Sequence, residues 1–169
     1  KTLRKKFPNI KFTDCYMNPI MRKSGMTPDE LMRRQLYSLL DKASKKDNGI
    51  NVLGNNYSTD ESSDLVRLIR QSKYKLRDIT YCKNFDEYEE MSKSRFNIAY
   101  LGVAKKGLYD ISNKLDQEAI FIPISYDPNT IKENLKTLAS TIGVDIKKFD
   151  FREKEAINKL VEAKNAIRS

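Results

Sequence analysis

The sequence predicts an α/β fold: a three-layer, Rossmann-like domain with a parallel sheet of about four strands and helices on both faces. Short apolar runs recur with centres near Ile50, Ile79, Ile98 and Ile120. Each run is followed by a helical pattern, and that alternation calls for parallel strands joined by right-handed crossovers. The runs read as apolar on both faces, as strands covered from two sides are.

The elements follow in chain order. "NIKFTDCYM" (Asn9–Met17) has the length and residue types of a strand. In "TPDELMRRQLYSLLDKA", Thr27 is a good N-cap, Pro28 suits the first helical position and Glu30 completes a capping box. Met32, Leu36, Leu39 and Leu40 then share one face. "INVL" (Ile50–Leu53) is a strand stopped by Gly54. Ser58 with Glu61 predicts a second capping box, opening a helix that carries Leu65, Leu68 and Ile69. "LRDITYC" (Leu76–Cys82) is the next strand, and Asn84 with Glu87 starts a short helix. "FNIAYL" (Phe96–Leu101) ends at Gly102 and precedes a helix marked by Leu108, Ile111 and Leu115. "AIFIPI" (Ala119–Ile124) is the last strand. Asp127-Pro128 opens a helix with Ile131, Leu135, Leu138 and Ile142, and Gly143 closes it. A final helix spans about Glu153 to Ile167, with Ile157, Leu160 and Val161.

A chain of 169 residues is enough for one full core. Residues 1–26 read as the end of a preceding domain or a first strand and loop. Residues 27–150 read as the Rossmann-like domain, and 151–169 as a C-terminal helix leading to the next. The start at Lys1 and the helix-tail character of "KTLRKKFPN" predict an excised piece of a longer protein. With 39% apolar and 33% charged residues the composition is that of a soluble domain. No run approaches the roughly 18 apolar residues of a membrane span, and no signal peptide is visible, so a cytoplasmic location without membrane contact is expected.

The net charge of +9 comes from 32 basic and 23 acidic residues. The lysines interleave with acids along helices, and only the first six residues form a basic run. No aromatic-plus-basic stripe accompanies them, so a nucleic-acid partner is not expected. Two cysteines, Cys15 and Cys82, form no CxxC or ligand cluster and fit a reducing compartment. There is no histidine. Its absence removes Ser-His and Cys-His nucleophile pairs, His-ligated zinc and imidazole bases from this chain.

In open parallel sheets ligands sit beyond the carboxyl ends of the strands. Those ends carry Gly54-Asn55-Asn56-Tyr57, Lys83-Asn84, Gly102 to Lys106, and Ser125-Tyr126-Asp127. "GNNYST" has only the first glycine of a dinucleotide fingerprint. "GVAKKG" puts Leu108 and Tyr109 where a P-loop needs Lys and Ser or Thr. It reads as a helix-start loop with two solvated lysines. The paired carboxylates Asp60/Glu61, Asp86/Glu87 and Glu89/Glu90 fall at helix starts or on helices, where they complement the dipole or face water. Tyr57, Tyr100 and Tyr126 near strand exits line a pocket or pack a rim.

The order of these pieces resembles component 1 of nitrogenase and nitrogenase-like oxidoreductases, over about Asn9 to Lys164. "IKFTDCYMNPIMRKSGMTPDELMRRQLYSLL" is similar to the family segment in which a strand ends in Cys and a Ser/Gly pair opens a long helix. "INVLGNNYSTDESSDLVRLIRQSKYKL" resembles its V-N-I-I-G-x-Y-N strand and loop with the helix that follows. "FNIAYLGVAKKGLYDISNKL" resembles its L-N-L-V-x-C strand, and "AIFIPISYDPNTIKENLKTLASTIG" its closing helix. The resemblance implies a middle domain of an α- or β-type subunit. The parent would carry an iron–sulfur or related metal cluster. Its partners would be a paralogous component-1 subunit, in a heterotetramer, and an iron–sulfur reductase. It also implies cofactor-facing positions at Ser24, Gly25, Gly54, Asn55, Tyr57 and Gly102. Two departures stand out. Leu101 occupies the place of the cofactor-ligating cysteine, and the family histidine falls near Met26 or Thr27, where this chain has none. No metal ligand and no catalytic residue is therefore assigned. The isolated chain is expected to be inactive and without its own cofactor. The alternative is a non-catalytic small-molecule-binding or scaffold module, and the Gly54–Tyr57 corner reads equally as a ligand wall or a surface turn.

Overall fold

A computed structural model describes residues 2–15 and 25–168. The chain forms two compact units. One holds residues up to Ser58 together with Lys75–Pro123, and the other holds Thr59–Tyr74 with Ile124 onward.

The first unit contains the sheet. Strands β1 (Gly49–Val52), β2 (Lys75–Asp78), β3 (Phe96–Ala99) and β4 (Glu118–Phe121) are all parallel, in the order β2-β1-β3-β4. The fold is α/β with a Rossmann-like sheet. β1 pairs with β2 on one side and β3 on the other, so the strand order reverses between β1 and β3. The unit's helices are α1 (Thr2–Lys6), α2 (Pro28–Tyr37), α4 (Phe85–Glu89) and α5 (Lys105–Leu115). In the second unit α3 (Asp64–Gln71) and α6 (Pro128–Ile142) are in contact, and α7 (Glu153–Arg168) follows.

Several helix boundaries form as their sequences predict. Thr27 accepts from the Glu30 N–H at 3.2 Å, and the Glu30 carboxylate takes the Thr27 N–H at 2.7 Å. Asn84 caps α4 through the Glu87 N–H. Asp127 caps α6 through Thr130, and Gly143 ends it in the left-handed conformation.

Other boundaries differ. Residues 9–15 form no strand, and the rest of that predicted element lies outside the described residues. The Ser58/Glu61 box does not form. The N-cap of α3 is Ser63, which accepts from Val66 N–H, while Asp60 accepts from Ser62 N–H. β2 stops at Asp78 because the Asp78 carboxylate captures the Thr80 N–H and turns the chain into a 3₁₀ turn over Ile79–Tyr81. α2 is rotated from the expected face: Arg33 and Tyr37 are buried and Leu36 is exposed.

The central strands β1 and β3 are buried along their whole length but are not apolar throughout. Arg77, Asn51 and Asn97 sit side by side in register on β2, β1 and β3. Asn51 donates to Asn97 at 2.7 Å and to the Met91 carbonyl at 2.8 Å. Asn97 donates to Ser112 and Gln117, and Ser94 donates to Asn51. Gln117 returns its amide to the carbonyls of Met91, Ser92 and Ser94. Arg77 closes the row with bonds to Ser94 and a bidentate pair to Asp47. Each amide is satisfied, so the row fixes strand register at little desolvation cost.

The hydrophobic cluster of this unit joins Tyr37, Leu40, Leu53, Tyr88, Met91, Ala99, Ala104, Leu108, Ile111 and Leu115. It locks α2 against α5. They approach closely at Gly107, where a Cβ would lie 3.0 Å from the Tyr37 ring.

Candidate functional site

The candidate site is the carboxyl edge of the sheet at the reversal between β1 and β3. Leu53 N–H bonds to the Ile98 carbonyl at 2.8 Å, so the two strands leave the sheet side by side. Gly54 then turns with φ +79°. A side chain there would be strained, and its Cβ would fall 2.1 Å from the Ala104 Cβ. The β1 exit is thus seated directly on the start of α5. Gly102 begins the turn into α5 and has open space above its Cα. Gly25, with φ +65°, joins this edge through its carbonyl, which accepts from the Lys106 ammonium at 3.2 Å. The structure therefore links Gly25, Gly54 and Gly102. Ser24 lies outside the described residues.

Asn55 and Tyr57 behave differently from each other. Asn55 is buried and points inward: its amide N–H groups reach the Tyr57 carbonyl and both Asp78 carboxylate oxygens, each at 2.9 Å. Its Oδ1 is buried without a hydrogen-bond partner. Asn55 therefore braces the loop instead of facing a ligand. Tyr57 is 85% exposed.

The sequence reading missed the group behind this corner. The corner itself contains no cation, yet Arg33 of α2 is buried and donates to Asn56 Oδ1 at 2.6 Å. Its Nε lies 3.3 Å from the Asp29 carboxylate without a well-directed bond. Asp29, Arg33 and Tyr37 are spaced four apart, so one helix face carries the acid, the cation and the phenol. Burial pushes the Tyr37 hydroxyl far above its ordinary pKa, so it stays neutral. That spacing was the only sequence signal, and assigning the buried face to Met32, Leu36, Leu39 and Leu40 concealed it.

The arrangement offers backbone amides, an exposed phenol and two lysines. Lys106 serves Gly25, and Lys105 lies over the Phe121 ring at 4.9 Å. Among the described residues no group of three or more His, Cys, Asp or Glu could hold a metal ion. Cys15 is exposed. Cys82 is half-buried, and burial, with Glu87 and Asp78 nearby, pushes its thiol up, against thiolate formation.

In the second unit, Tyr126 is 88% exposed and Asp127 is committed to capping α6. Tyr126, Pro128, Ile131, Phe151 and Leu160 line a groove of about 520 Å³. Its charged rim is paired internally, Lys132 with Glu153 and both Arg152 and Lys159 with Glu155.

Fold and edge define the class: an α/β protein with a parallel, Rossmann-like sheet and a braced loop corner at its strand reversal. No protein-family model matches the chain, and no curated protein matches it. Among the described residues no helix is long and apolar enough to cross a membrane.

Proposed function

We propose that the chain is a domain of a nitrogenase-like component 1 oxidoreductase. Its parent receives low-potential electrons from an iron–sulfur reductase and works beside a paralogous subunit. The observation that carries this reading is the reversal-point edge, where the loops of Gly25, Gly54 and Gly102 come from three separate segments of the resemblance and are tied together by Lys106 and Ala104. A metal centre in the parent would supply the electron transfer. This chain's own part is to wall the centre or its substrate with backbone amides, the Tyr57 phenol and a corner held rigid by Asn55 and Arg33. The test is reductase-dependent turnover of the full-length parent under anaerobic conditions. The reading expects turnover that needs both components, and a parent that is inert with every low-potential reductase supplied would refute it.

A second reading, a non-catalytic binding or scaffold module, is favoured by one observation. Asn55 and Asn56 spend their side chains on Asp78 and Arg33, leaving fewer groups for a substrate. Ligand binding by the parent without any reductase-dependent reaction would support it.

A further inference from the structure

The cluster that the proposed function implies can be tested against the donors at this edge. Iron–sulfur and related clusters are held chiefly by thiolates, with imidazole or carboxylate as occasional ligands. The chain has no histidine and two cysteines. Cys82 follows β2, on the far side of β1 from the β3 exit, with its thiol 3.9 Å from the Asp78 carbonyl. Cys15 is exposed in the segment before α2. Residues 16–24, outside the described part, contain no Cys, His, Asp or Glu.

At the edge itself the carboxylates are occupied. Asp29 faces Arg33, Glu30 closes the cap of α2, and Asp78 holds Asn55 and Thr80. Leu101 stands at the β3 exit, where a hydrocarbon side chain offers no lone pair. At Gly54 the space is already filled by Ala104 and Tyr37.

We infer that this domain gives no inner-sphere ligand to any metal centre, and that it meets such a centre only as an outer wall of amide, phenol and hydrocarbon groups. The inference rests on the nitrogenase-like reading, which supplies the reason to expect a cluster, and goes beyond it by assigning the ligands to other parts of the parent.

The experiment uses the 169-residue chain, mixed anaerobically with ferrous iron and sulfide, then desalted. Bound iron is measured by mass spectrometry and charge-transfer absorption in the visible. Alkylation rates of Cys15 and Cys82 are measured with and without iron. The expected result is less than about one iron per ten chains, no visible band, and alkylation rates unchanged by iron. About one iron or more retained per chain would overturn the inference. If Cys15→Ser or Cys82→Ser then abolished that iron, the ligand would be a thiolate. If the double variant Cys15→Ser/Cys82→Ser kept it, the ligand would not be a thiolate. Either result contradicts the wall assignment while leaving the reductase-dependent turnover of the parent to stand or fall separately.

Discussion

Replacing Asn97 by Leu removes the centre of the buried polar row while keeping the number and branching of side-chain heavy atoms. Asn97 is fully buried and makes three side-chain bonds: to Asn51 at 2.7 Å, Gln117 at 2.8 Å and Ser112 at 2.9 Å. Ser112 Oγ, which accepts from Asn97, loses a donor but keeps its own O–H to donate. One Asn51 N–H and the Gln117 Oε1 lose their Asn97 partner, and both stay buried. Each orphaned group costs about 1–3 kcal/mol, so Asn97→Leu should destabilise by about 2–6 kcal/mol. Domain stabilities are about 5–15 kcal/mol, so this is a large fraction. At about 2–4 °C per kcal/mol, Tm should fall by about 4–24 °C. The assay is urea unfolding followed by far-UV circular dichroism, with the midpoint shift read at constant slope. Asn51→Leu combined with Asn97→Leu should cost less than the sum of the two, because donor and acceptor then leave together. A loss below about 1 kcal/mol for Asn97→Leu would show that the row is not the register lock described above.

Other substitutions and conditions give sharper contrasts. Gly54→Ala should cost about 2 kcal/mol or more by chemical denaturation, from its positive φ and the Ala104 contact, whereas Gly102→Ala should stay within about 0.5 kcal/mol. Thr27→Ala should cost about 1 kcal/mol through loss of the α2 cap, read from the same unfolding curves. The Asp47 carboxyl is held below its ordinary value, chiefly by the Arg77 hydrogen bonds. The unfolded chain therefore binds this proton first, and the stabilisation, fully present above about pH 4, is lost as pH falls through the lowered folded value. Asp47→Asn should flatten the stability-versus-pH curve below that pH, and an unchanged acid limb would contradict the assignment.

The parts legible in sequence were those where one local signal decides. Thr27-Pro28-x-Glu30 fixes a helix start because all its bonds lie within four residues. Asp127-Pro128 and Gly143 do the same for α6. The apolar runs at Ile50, Ile98 and Ile120 set three strands because burial requires it. The misses came from bonds between distant residues or from local competition. Asn51 and Asn97 are 46 residues apart, and nothing near either announces the pair. At β2, Asp78 ends the strand early by taking a backbone N–H that apolar patterning would leave to the sheet. The Ser58/Glu61 pattern lost to Ser63, whose bond to Val66 starts the helix nearer its buried face.

The site divides in the same way. Glycines at strand exits mark the edge, and that rule points to Gly54 and Gly102, whereas Gly25 came only from the resemblance. The side-chain direction of Asn55 depends on Asp78, which is 23 residues away, and the corner's cation arrives from α2, also 23 residues from Asn56. No window of sequence around Gly54 contains that information.

The measurement that bears most directly on the function is iron analysis of the full-length parent, purified anaerobically, beside the isolated 169-residue chain. The account predicts stoichiometric iron in the parent, reducible by its reductase partner, and none held by the chain. A parent devoid of iron would contradict the oxidoreductase reading, whatever the chain itself retained.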